Sequence, residues 1–73
     1  MKAGDQVAIV DGHYRGLRGW FVEQRHHVIT VALLPEDLNS RHGRREIPWK
    51  RDADGRVPMG FAASYVAPAE VAS

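Results

Sequence analysis

Wherever the apolar residues of this chain keep a rhythm, the rhythm is two. In residues 6–10, Gln-Val-Ala-Ile-Val, Val7 and Ile9 fall on one face of an extended strand, and Asp11-Gly12 closes the run with a turn signal. Residues 20–24, Trp-Phe-Val-Glu-Gln, form a second aromatic and β-branched run. Arg25-His26-His27 separates it from residues 28–34, Val-Ile-Thr-Val-Ala-Leu-Leu, the strongest strand signal in the chain, which Pro35 stops. No window holds apolar residues at i, i+3, i+4 and i+7, so no long helix is expected.

Beyond Pro35 the signals are shorter. Residues 35–43 combine Pro, Asn, Ser and Gly with two acids and read as a loop, with a helical turn over Glu36-Asp37-Leu38 as the alternative. Residues 44–50 read as a strand that Pro48 confines to an edge or a bulge. Asp52-Ala53-Asp54-Gly55 is a turn. Residues 56–61 resume an extended pattern in which Pro58 again bars a central position, and Tyr65-Val66-Ala67 is a last short strand ended by Pro68. About five short strands in 73 residues are too few for two stacked sheets, but enough for a small, strongly bent barrel whose closure removes exposed edges. The core available is modest and mostly valine, since Val, Ile, Leu and Phe number 8, 3, 4 and 2. With no cysteine there is no disulfide to support it, so the expectation is one all-β domain over residues 1–73.

Charge narrows the function classes. Ten Lys and Arg against nine Asp and Glu give a net +1, which excludes both an acidic disordered tail and a polycation. A nucleic-acid surface would therefore have to be a local patch. Behind Met1-Lys2-Ala3-Gly4-Asp5 there is no apolar stretch of signal-peptide or membrane-span length, so a cytoplasmic protein without membrane contact is expected. There is no carboxylate pair, no nucleophile beside a base and no phosphate loop, and Ser40 and Ser64 lack the context of a catalytic serine. No enzyme and no cofactor is expected. The histidines, His13, His26, His27 and His42, do not have metal-ligand spacing, and without cysteine they read as turn residues.

One segment is more specific. Lys2-x-Gly4-Asp5-x-Val7-x-Ile9, followed by Gly12-His13-Tyr14-Arg15-Gly16-Leu17-Arg18-Gly19-Trp20-Phe21, resembles the KOW motif of NusG-type transcription elongation factors and several large-subunit ribosomal proteins. The resemblance covers residues 2 to about 22. Phe61-Ala62-Ala63-Ser64-Tyr65-Val66 is similar to the family's closing segment, where a 3₁₀ turn leads into the last strand. The resemblance implies a five-stranded SH3-like barrel and a partner that is RNA, a ribonucleoprotein, or a component of RNA polymerase or the ribosome. There are two departures from the pattern: Phe21 stands where valine is usual, and residues 35–56 form a longer connection than the family requires, a loop or hairpin insertion. The chain is also similar in length and in Gly4-Asp5-Gln6-Val7 to type II dihydrofolate reductases, but reads Val57-Pro58-Met59-Gly60-Phe61 where those enzymes carry their Val-Gln-Ile-Tyr active-site segment.

Two groups of residues can carry binding. The glycine turn offers backbone amides together with Tyr14, Arg15 and Arg18, which suit a phosphate and a stacked base. The insertion carries Arg41, Arg44, Arg45, Lys50 and Arg51 against Glu46, a local +4, with Trp49 beside the last two cations as a stacking surface. The plainer account is that the glycines only permit the bend, Tyr14 covers the barrel end and the cations are solvated, with Glu36, Asp37, Asp52 and Asp54 damping the field. The expectation is a non-enzymatic RNA- or machinery-binding module, and the alternative is a protein–protein adaptor anchored by Trp20, Trp49 and Tyr65.

Overall fold

Period-two alternation gives each strand one apolar side, and a chain with a small core must bring those sides together. The computed structural model of the protein, described over residues 1–69, does so with β1 (Gln6–Ile9), β2 (Arg18–Arg25), β3 (Val28–Leu33), α1 (Pro35–Arg41), β4 (Val57–Ala62), a 3₁₀ turn (Ala63–Tyr65) and β5 (Val66–Pro68). The five strands form one antiparallel sheet in the order β4-β3-β2-β1-β5. Val7 and Ile9 of β1, Phe21 of β2, Ile29, Val31 and Leu33 of β3, Val57 of β4 and Val66 of β5 meet in a single buried cluster, joined by Leu38 of α1.

The sheet bends where β2 carries one residue too many. Phe21 pairs with Val31 but Glu23 pairs with Thr30, so Val22 is left outside the ladder as a bulge and is exposed. Arg25 pairs with Val28, which leaves His26 and His27 as a two-residue hairpin turn. β4 sits at one end of the sheet for a reason legible in its sequence. The Ala63 amide donates to the His27 carbonyl at 2.7 Å, and the same alternation places Phe61, Met59 and Val57 at hydrogen-bonded positions opposite β3. Pro58 therefore turns its nitrogen, which has no hydrogen, away from the ladder.

Three expectations need correction. Closure of the barrel is not seen, since among the described residues no pairing joins β4 to β5 and the sheet has two ends. Pro58 faces outward on one of those ends, and the other is a three-residue strand that finishes on Pro68, so neither end is equipped for a long ladder. Val57 and Val66 nevertheless share the core cluster, which requires the sheet to curl around it.

Residues 35–41 are a helix and not a loop: the helical turn expected as the alternative over Glu36-Asp37-Leu38 is present and runs on to Arg41. Pro35 occupies the first turn, where its missing N–H is not needed, Glu36 and Asp37 lie at the positive end of the peptide dipoles, and Arg41 lies at the negative end. The helix stops at Gly43, which takes φ +76°, and the following Arg44 amide returns to the Asn39 carbonyl at 2.7 Å. Leu38, fully buried, holds the helix to the sheet.

Residues 44–50 do not form a strand. β3 already has β2 on one side and β4 on the other, and the segment is held instead by Asn39, whose side-chain oxygen accepts from the Trp49 indole N–H at 2.7 Å and from the Ile47 amide at 3.4 Å. The turn over residues 52–55 is present, with the Asp52 carboxylate accepting from the Asp54 and Arg56 amides. No helix among the described residues is long and apolar enough to cross a membrane.

Candidate functional site

The glycine turn is built by backbone hydrogen bonds before any side chain is considered. Ile9 and Leu17 face each other across it, with the Ile9 amide donating to the Leu17 carbonyl at 2.8 Å and the Gly16 amide donating to the Ile9 carbonyl at 2.8 Å. Gly16 takes φ +95°, a conformation that suits glycine. The turn therefore presents His13, Tyr14 and Arg15 as a short projection beyond β1 and β2. Arg15 and Arg18 are exposed and line one shallow depression with Val10 and Gly16.

The insertion docks onto this projection. The Tyr14 hydroxyl and His42 Nε2 share a hydrogen bond of 2.6 Å, and Arg41 Nη1 donates to the His13 carbonyl at 2.8 Å. Around these two bonds the rings pack edge to face or tilted. His13 meets Tyr14 with centroids 5.0 Å apart and His42 at 5.2 Å, His42 meets Trp49 at 5.8 Å, and Tyr14 meets Phe61 of β4 at 6.2 Å. Tyr14, Arg41, His42 and Trp49 are each partly buried in this joint. Both aromatic residues singled out for stacking thus have internal partners: Tyr14 has His42 and Phe61, and Trp49 has His42 and the Asn39 oxygen.

The remaining cations behave differently. Arg15, Arg18, Arg44, Arg45 and Lys50 are exposed, and among the described residues none of their side chains makes a hydrogen bond or ion pair within the chain. The one ion pair there joins Arg25 to Glu23 at 3.4 Å, at the far hairpin. Arg15 is one residue from Tyr14 and Arg44 is two residues from His42, so the 2.6 Å bond between those side chains sets arginines on both sides of one joint. Arg44 itself is held at φ +63°, a left-handed conformation that costs a residue with a Cβ on the order of 1 kcal/mol or more.

Sequence reasoning did not single out Asn39 or the pairing of His13 with His42. Asn39 carries no motif, and its role depends on α1 placing it beneath residues 47–49. No group of three or more His, Cys, Asp or Glu side chains gathers among the described residues. Elsewhere, the Arg56 guanidinium lies 3.6 Å above the Trp20 ring, covering one face of that indole on the opposite side of the sheet from the core. Compared with known families, curated proteins and solved structures, the chain matches none.

Proposed function

We propose that this chain is a non-enzymatic module that binds RNA, alone or within the transcription or translation machinery, through arginines gathered where the insertion meets the glycine turn. The observation that carries the reading is the joint itself. A protein of net charge +1 uses Arg41, Tyr14 and His42 to hold its +4 segment against a turn that bears Arg15 and leads into Arg18 at the start of β2, and among the described residues the outer cations have no internal partners. Arg15, Arg18, Arg44, Arg45 and Lys50 are the phosphate-facing groups in this reading. Tyr14, Arg41 and Trp49 hold the platform that presents them. Guanidinium groups suit phosphate because their planar forks give paired, charge-assisted hydrogen bonds.

Several features support a KOW-like SH3 barrel as the architecture behind this function. A 3₁₀ turn precedes the last strand, as the resemblance over residues 61–66 implies, and the sheet adds a last strand that returns to pair with the first and a bulge in β2 that bends it.

The test uses two variants of different kinds. Arg44→Glu with Arg45→Glu should leave folding intact, since both side chains are exposed, and should abolish binding to a mixed-sequence RNA followed by fluorescence anisotropy. Arg44→Gly removes one cation while relieving the left-handed backbone, so it should weaken RNA binding and flatten its salt dependence by about one unit of log–log slope, with stability unchanged or raised. Binding of RNA by the double-glutamate variant at wild-type strength, or no binding by the wild-type protein at low salt, would overturn the reading in favour of a protein partner.

A further inference from the structure

We infer that the ligand of the arginine surface is a double-helical nucleic acid, gripped by its backbone phosphates, and not a single strand read by base stacking. The inference rests on the binding function proposed above and specifies its substrate. A protein that binds single strands without sequence preference needs open aromatic faces on which successive bases lie, alongside a basic groove. The chain has six aromatic residues, two each of Phe, Tyr and Trp, and the fold occupies them in turn. Phe21 is in the core, and Phe61 packs edge to face on Tyr14 with the ring planes at 90°. Tyr14 and Trp49 are both partly buried, and the His42 ring packs against each of them, with centroids 5.6 Å and 5.8 Å away. The Arg56 guanidinium covers one face of the Trp20 ring at 3.6 Å, and Trp20 is itself partly buried. Tyr65 is the one exposed residue of these six; it rests against Gly12, so close that a Cβ there would be 2.9 Å from its Cε2, and none of the other five is exposed to continue a stack.

What the surface does offer is charge without stacking. Arg15 lies in the glycine turn, Arg18 at the start of β2, and Arg44, Arg45 and Lys50 in the insertion, all at exposed positions. Such a set recognises the spacing of phosphates, which is densest and most regular along a double helix. The phosphates of a duplex RNA and a duplex DNA present the same chemistry, and a shape difference between the two helices decides between them.

The experiment measures the wild-type protein by anisotropy at one low salt concentration against four probes of equal length. These are a single-stranded RNA without self-pairing, the same RNA annealed to its complement, and the corresponding single-stranded and duplex DNAs. At least one duplex should bind about tenfold or more tighter than either single strand, because a duplex carries a phosphate charge about every 1.7 Å of its axis and one strand about every 3.4 Å, with no stacking to offset the difference. The emission of Trp20 and Trp49 should stay unquenched on saturation with the duplex; a preference for duplex RNA agrees with the RNA-binding function, whereas a preference for duplex DNA overturns that function and leaves the grip on duplex phosphates standing. Single strands bound as tightly as the duplexes, or with quenching of tryptophan emission, overturn this inference while leaving the nucleic-acid function standing. Failure of all four probes to bind removes that function and the inference with it.

Discussion

Gly16, in the turn after β1, and Gly19, near the start of β2, differ in what they require, and the difference can be measured. Gly16 needs its backbone angle, φ +95°, and has open space around it, since the nearest atom to an added Cβ would be Arg41 Nη2 at 3.8 Å. Gly19 has an ordinary angle but no room. A Cβ there would stand 2.5 Å from the Ala32 carbonyl oxygen and 2.7 Å from Val31 Cγ1, inside the β2–β3 ladder. Gly16→Ala should therefore cost about 1 kcal/mol through backbone strain alone. Gly19→Ala should cost more, about 1–3 kcal/mol or beyond, because the overlapping atom is backbone and moves only with the sheet. Urea unfolding of both variants tests the order. Equal stability, or Gly16→Ala the weaker of the two, would mean that crowding at Gly19 is relieved elsewhere.

At the scale of elements, α1 is the piece whose sequence signals were present and were outweighed. Pro35 at the start, acids behind it, Arg41 near the end and Gly43 beyond are the marks of a short helix, but seven residues show fewer than two full turns of apolar repeat, so no periodicity announces it. Its one apolar anchor, Leu38, is fully buried in the cluster that the strands share. Leu38→Ala should cost about 2–5 kcal/mol, the range for a buried leucine truncated without full collapse of the cavity. Because that cluster also holds Val7, Ile9, Val31 and Leu33, the loss should shift the midpoint of the whole unfolding transition. A separate early loss of helix, with the sheet transition unmoved, would show α1 to be an appendage.

The whole molecule is small, with a radius of gyration of 11.5 Å, and its insertion is joined to the glycine turn by side-chain bonds that span 28 residues of sequence. A single cooperative unit follows from that arrangement, since neither part has a core of its own. Trp20 reports on the sheet and Trp49 on the insertion. Variants with Trp20→Phe or Trp49→Phe, each leaving one indole as the probe, should unfold in urea with midpoints that match far-ultraviolet circular dichroism on the same variant. Divergence of the Trp49 signal from circular dichroism would mean that the insertion opens on its own, and the arginine surface would then be assembled only part of the time.

Legibility divides along the range of the forces involved. The strands of residues 6–9, 28–33 and 57–62, the turn at Asp52 to Gly55, the end position of β4 and the bend at Gly16 were all open to sequence reasoning, because alternation, proline's missing hydrogen and glycine's missing Cβ act within a few residues of one another. The sequence also located the cations. It did not say which of them would be left free. Arg41 and Arg44 carry the same side chain in the same charged run, yet Arg41 is bonded to the His13 carbonyl and Arg44 stands exposed. Likewise nothing near Trp49 foretells that Asn39 will hold its indole N–H, or near Tyr14 that His42 will meet its hydroxyl. Those partners are chosen when the sheet curls and α1 docks, since a hydrogen bond between residues far apart in sequence exists only at the few ångströms that packing of the core permits.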